Sequence, residues 1–144
     1  MIEIARRMSE GQLLHHISFG VSNIERSAAF YDAVFAPLGC VRVWEDLNPG
    51  DPDQAVGYGP PGGGDKFAVK LPGEDARAPG PGFHLAFAAP NRSAVILSHK
   101  AALAHGGLDN GAPGLRPHYG PHYFAAFVID PDGHHIEVVC KAPE

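Results

Sequence analysis

The sequence predicts an α+β fold in which one module, a strand, a helix and about three further strands (βαβββ), occurs twice. Three observations carry this expectation. First, His16-Ile17-Ser18-Phe19-Gly20-Val21-Ser22-Asn23 overlies His84-Leu85-Ala86-Phe87-Ala88-Ala89-Pro90-Asn91 at an offset of 68, so that His, Phe and Asn coincide, and the same offset carries Ala33 onto Ala101 and Gly39 onto Gly107. Second, each copy continues into a segment with helical periodicity that opens at Asn and closes at Gly. Third, short extended runs follow each helix, separated by many of the chain's 18 Gly and 14 Pro, as expected of turns that join short strands.

Each element has a local cause. In the first copy Ser22 and Glu25 have the spacing of a capping box, with Asn23 as an alternative N-cap. Ile24, Ala28, Tyr31 and Phe35 then mark one helical face, and Pro37 and Gly39 end the helix. Strands are expected near Val41–Glu45, Ala55–Tyr58 and Lys66–Leu71. In the second copy Asn91 caps a helix whose apolar face is read as Val95, Ile96 and Leu103, and Gly106-Gly107 ends it. Strands at Tyr123–Ile129 and His135–Cys140 are joined by Asp130-Pro131-Asp132-Gly133, a tight-turn sequence. The stretch Pro72 to Gly82 reads as the linker, which places the modules at 12–72 and 83–141 within one domain.

Composition narrows the function classes. Of 144 residues, 44% are hydrophobic and 19% charged, enough for a packed core. No apolar run approaches the roughly 18 residues of a membrane span. Met1 to Gly11 carries Arg6 and Arg7 without an apolar segment behind them, so no secretory signal is expected. A net charge of -5 without a basic block argues against nucleic acid as a partner. Cys40 and Cys140 form no C-x-x-C pair and are too few for a disulfide framework, which fits a cytoplasmic protein.

The 9 histidines are a supply of ligands or acid/base groups, and strand alternation sorts them. His16, Ser18 and Gly20 share one face of the first strand; His84, Ala86 and Ala88 share the equivalent face in the second copy, with bulky residues behind. On the last strand His135, Glu137 and Val139 share a face, and a carboxylate within an apolar strand is costly unless paired or bound to metal. If the repeat folds as a pseudo-symmetric pair, His16, His84 and Glu137 converge. Two imidazoles and a carboxylate suit Fe, Mn, Zn, Ni or Co as divalent ions and leave positions open for a substrate. Subtracting the offset from Glu137 gives Val69, so the first copy supplies no matching carboxylate.

The motifs His16 to Ser27, Phe30-Tyr31 and Leu38-Gly39, with Gly82 to Phe87 and Asp130 to Glu137, resemble the vicinal oxygen chelate superfamily, which includes glyoxalase I, bleomycin-resistance proteins and extradiol dioxygenases. The resemblance runs from Leu13 to Cys140. It implies paired βαβββ modules forming a curved mixed sheet around a metal cavity, a homodimer, a small-molecule substrate, and His16, His84 and Glu137 as metal ligands. The fourth glyoxalase I ligand falls at or near Val69, where no carboxylate stands, a departure from lactoylglutathione lyases.

The expected chemistry is chelation of two neighbouring substrate oxygens at a Lewis-acidic metal, by a lyase or isomerase or by a dioxygenase. Alternatives are a metal-free binding protein of the bleomycin-resistance type and a Mn-dependent thiol transferase of the fosfomycin-resistance type. The segment Arg116 to Tyr123 offers the remaining groups: His118, His122 and Tyr123 for proton transfer, and Arg116 and Tyr119 for substrate binding, joined by His135 beside Glu137.

Overall fold

The computed structural model describes residues 13–71 and 75–144. The leader reading of residues 1–11, residue 12 of the expected first module and residues 72–74 of the expected linker lie outside the described residues. The first half runs β1 (Ile17–Gly20), α1 (Ile24–Phe35), β2 (Val41–Asp46), β3 (Ala55–Gly59) and β4 (Phe67–Lys70). The second runs β5 (Leu85–Ala88), α2 (Arg92–Ala104), β6 (Leu108–Leu115), β7 (Phe124–Ile129) and β8 (His135–Cys140). They form two four-stranded mixed sheets of identical topology, β1-β4-β3-β2 and β5-β8-β7-β6, not closed into a barrel. In each, the first strand pairs in parallel with the last and the remaining pairs are antiparallel. No helix among the described residues is long and apolar enough to cross a membrane.

The helix ends follow the expected chemistry in part. Asn23 Oδ1 accepts from the Arg26 amide at 3.0 Å and Asn91 Oδ1 from the Ala94 amide at 2.8 Å, satisfying backbone donors that the first helical turn leaves free. Ser22 does not close a capping box with Glu25. Its amide and hydroxyl instead donate to Asp132 Oδ1 at 3.1 and 2.5 Å, which places a carboxylate from the second half at the positive end of α1.

The expected face of α1 is buried: Ile24, Ala28, Tyr31 and Phe35. On α2 the buried stripe is Ala94, Val95, Ser98, His99 and Ala102, while Ile96 and Leu103 are largely exposed, against expectation. Ile96 lies one residue, about 100° of helical rotation, from Val95. The small residues Ala94, Ser98 and Ala102 let α2 approach α1 closely, and the Ser98 hydroxyl donates to the Val34 carbonyl at 2.9 Å. The stripe that faces inward is the one that holds the fully buried Val95 and these small residues, and Ile96 is left outside it.

Strand β6 has no signal in the sequence. Its core, Gly111-Ala112-Pro113-Gly114, is poor in strand-forming residues, and the ladder to β7 shifts register twice there. Pairing to β7, not propensity, makes it a strand.

One core joins the halves. Phe19, Tyr31, Phe35, Val56, Tyr58, Phe67 and Val69 of the first half pack with Val128 and Ile136 of the second, and with the partly buried Phe83, Leu85 and Phe87. The Phe67 and Phe87 rings lie 5.3 Å apart and Phe35 is 4.9 Å from Phe87. Each buried large side chain contributes roughly 1.5–3 kcal/mol. With these faces taken by the core, alternation turns Ser18 and Ala68, and likewise Ala86 and Glu137, to the opposite faces of their sheets.

The turn Asp130–Gly133 does more than close a hairpin. Asp130 Oδ2 accepts the Tyr31 hydroxyl at 2.7 Å and faces His134 Nδ1 at 2.9 Å, and the His134 ring stacks on Phe19 at 4.2 Å with 7° between planes. Asp132 also accepts from Arg26 at 3.2 Å and from the Ser27 hydroxyl at 3.2 Å. The second half's hairpin is thereby fastened to α1 and β1 of the first.

Candidate functional site

On the second sheet the ladder aligns Ala86 of β5 with Glu137 of β8, Glu137 with Phe127 of β7, and Phe127 with Gly111 of β6. This row lies on the face away from the core. Glu137 is 2% exposed, and an unpartnered carboxylate so placed would cost several kcal/mol. It has two partners. His84, two residues before Ala86, sets Nε2 3.0 Å from Oε1, and the Tyr123 hydroxyl donates to Oε2 in a short hydrogen bond. Loss of solvent and, next, the Glu137 carboxylate push the Tyr123 phenol up to about 12, so it keeps its proton at neutral pH.

The equivalent row on the first sheet is Ser18, Ala68, Gly57 and Trp44. The counterpart of Glu137 is therefore Ala68, not Val69. The ladder places it one residue from the simple offset, and Val69 is fully buried in the core. Neither side chain can ligate. Both rows set an aromatic ring against a glycine: a Cβ at Gly57 would fall 2.2 Å from the Trp44 indole nitrogen, and one at Gly111 would fall 2.9 Å from the Phe127 ring.

The structure brings together only part of the expected site. His84, Glu137 and Tyr123 form one cluster. The Tyr119 ring is 5.2 Å from Tyr123 and His118 is 4.1 Å from Tyr119, so these two extend the cluster outward. The Arg116 guanidinium lies over Phe127 at 5.5 Å, and the His84 ring is 6.5 Å from the Phe127 ring. His122 is exposed and makes none of these contacts among the described residues. His135, at the start of β8, lines a separate cavity with Pro79, Pro81 and Phe83.

His16 does not join the His84–Glu137 pair. Its Nδ1 sits 2.8 Å from His15 Nδ1, and it lines a cavity of about 230 Å³ with Phe67, Ala86 and Ala88. Among the described residues no group of three His, Cys, Asp or Glu side chains is placed to hold one metal ion. The pair by itself fits two of the ligands required. Donors about 2.1 Å from a metal and at right angles are about 3.0 Å apart, the separation seen here. Nitrogen and carboxylate donors suit the borderline divalent ions.

Two groups escape the sequence reading. Phe127 shares strand parity with Tyr123, a signal that was present. His134 has the same residue type as the candidates but is 2% exposed and tied to Asp130, a role set by contacts across the core.

A twice-repeated βαβββ fold with a histidine–glutamate pair on the open face of one sheet defines the class: a paired-module α+β protein with a candidate metal-binding sheet face. The model of the Glyoxalase/Bleomycin resistance protein/Dioxygenase superfamily matches residues 13–138, and the chain belongs to that superfamily. A glyoxalase/bleomycin resistance protein from Albidiferax ferrireducens is similar at 30% identity and TM-score 0.71, covering 89% of this chain and 98% of that one. A glyoxalase-related enzyme from Fulvimarina pelagi is similar at 25% identity and TM-score 0.63, over 90% and 87% of the two chains. A glyoxalase I mutant from Zea mays shares the fold at 20% identity and TM-score 0.66; the match covers 86% of this chain and 45% of that one. A search of curated proteins returned no match.

Proposed function

We propose that the chain is a metal-dependent enzyme that binds a small oxygenated metabolite by chelation through two neighbouring oxygens, with lyase, isomerase or dioxygenase chemistry. The observation that carries the reading is the buried Glu137 carboxylate meeting His84 at 3.0 Å on an open sheet face. We read the halves, 12–72 and 83–141, as modules of one domain. The third ligand in this reading is His16 of a second copy, in a homodimer that sets the first module of one protomer against the second module of the other.

A divalent ion at such a site supplies Lewis-acid polarisation of the chelated oxygens. The chain's own residues do the rest. Glu137 supplies the negative charge and presents Oε1, because Tyr123 occupies Oε2. Tyr123 holds its proton on the hydroxyl and orients the carboxylate. His118, at the outer end of the ring stack, is placed to exchange protons with solvent. His122 and His135, outside the pair, serve the rim of the site at most.

One observation favours a second reading, a metal-free ligand-binding protein: the partners of Glu137 already satisfy its carboxylate within one chain. Elemental analysis of the purified protein after separate supplementation with Fe, Mn, Zn, Ni and Co separates the two. The enzyme reading expects about one metal ion per chain, lost in His16→Ala, His84→Ala and Glu137→Gln alike. Retention of metal in all three variants sinks that ligand set.

A further inference from the structure

We infer that the substrate carries an anionic oxyacid group, a carboxylate or a phosphate, which Arg116 holds across Phe127 from the chelating pair. This names the substrate class of the site proposed above and rests on that reading.

Arg116 stands apart from the other arginines whose partners are described. Arg26 pairs with Asp132, Arg42 with Asp32 and Glu45, and Arg92 with Glu144. Arg116 makes no ion pair among the described residues, although it is partly buried. Its Nη2 donates to the Ala112 carbonyl at 2.7 Å and its Nη1 to the Leu115 carbonyl at 3.5 Å, which leaves three of the five guanidinium N–H donors for a ligand. An unpaired cation held in place is a ready partner for a bidentate oxyacid.

The strand beneath is shaped to hold it flat. A Cβ at Gly114 would fall 3.1 Å from Arg116 Nη1, and one at Gly111 would fall 3.4 Å from Nη2. The two glycines that make β6 illegible in the sequence thus leave the space in which the guanidinium lies over Phe127. Their cost in strand propensity has a return at this site.

The ladder also supplies a ruler. Glu137, Phe127 and Gly111 are register partners on three successive strands. Two strand spacings separate Glu137 from Gly111, roughly 10 Å. A ligand that chelates beside Glu137 and reaches Arg116 is therefore a compact molecule with vicinal oxygens at one end and the oxyacid at the other. A six-membered ring with substituents at opposite ends has this size.

The test uses the full-length protein loaded with Co(II), whose visible spectrum reports chelation. Catechol, 3,4-dihydroxybenzoate and 3,4-dihydroxyphenylphosphonate are titrated against the unmodified protein, Arg116→Gln and Arg116→Lys. The two oxyacids are expected to bind about tenfold or more tighter than catechol, as one charge-assisted contact provides. Arg116→Gln should abolish the gain, so that the Co(II)-loaded variant binds the three probes alike. Arg116→Lys should keep more of it for the phosphonate than for the carboxylate, and the tighter oxyacid identifies the source. Equal binding of all three probes by the unmodified protein, or an undiminished gain in Arg116→Gln, overturns the inference. If no Co(II) binds, the chelation reading fails and Arg116 is judged alone. Benzoate and phenylphosphonate should then shift the NMR resonances of the metal-free protein and not those of Arg116→Gln; identical shifts, or none, overturn the anion site as well.

Discussion

His84 and Glu137 are 53 residues apart in the chain and meet at 3.0 Å because β5 and β8 are parallel neighbours with Ala86 opposite Glu137. The residue two places before Ala86 lies on the same face and reaches the carboxylate. Glu137→Gln keeps the shape and removes the charge, so it should lower Co(II) affinity by more than about 100-fold with little change in melting temperature. Tyr123→Phe, which frees Oε2 but leaves both donors, should cost about 10- to 100-fold. Calorimetric titration measures both. An unchanged affinity in Glu137→Gln would remove Glu137 from the site.

The hairpin at Asp130–Gly133 should carry unequal weight at its two aspartates. Asp130→Ala strands the Tyr31 hydroxyl and the His134 ring nitrogen in the core, and should cost about 3 kcal/mol. Asp132→Ala removes the carboxylate that serves Ser22, Arg26 and the Ser27 hydroxyl at the solvent edge of α1, where water can replace part of what is lost, and should cost about 1–2 kcal/mol. Urea unfolding of the two variants gives the ordering, and equal losses would contradict it.

Stability should fall on the alkaline side. Burial pushes the Tyr31 phenol well above its usual range, helped by Asp130; burial also raises Tyr58, helped by Asp32. A group whose folded pKa is raised contributes stability that is complete below the unfolded value, about 10, and is lost as pH climbs beyond it. Phenolate absorbance from Tyr31 and Tyr58 should therefore develop above pH 10 only together with loss of the folded circular dichroism signal. Full ionisation of all 4 tyrosines with the fold intact would refute this.

Two glycines should respond differently to alanine. At Gly107 a Cβ would fall 2.8 Å from the Ala102 carbonyl oxygen and 2.9 Å from the Phe30 ring, contacts with backbone and core, so Gly107→Ala should destabilise by about 1–3 kcal/mol. At Gly57 the obstacle is Trp44, 40% exposed, whose side chain can swing outward. Gly57→Ala should red-shift the emission of this sole tryptophan with a smaller loss of stability. Thermal melts and fluorescence spectra of the pair decide it.

What the sequence determined by itself was whatever neighbouring residues encode. The 68-residue offset, the apolar stripe of α1, the Asn23 and Asn91 caps and the shared parity of His84 with Ala86 all depend on spacing within one segment, and the structure carries them as read. The tertiary structure decided what depends on pairing between distant segments. Register, not subtraction, makes Ala68 the counterpart of Glu137. Pairing to β7 makes a strand of a Gly- and Pro-containing stretch, and the close packing of Ala94, Val95, Ser98 and Ala102 leaves Ile96 on the outer side of α2. Asp132 takes Ser22 from the capping box for which its spacing to Glu25 is suited. His84 and His16 carry the same local signal, yet only His84 meets Glu137 within one chain, because strand pairing brings Ala86 alongside that carboxylate and leaves Ser18 beside Ala68.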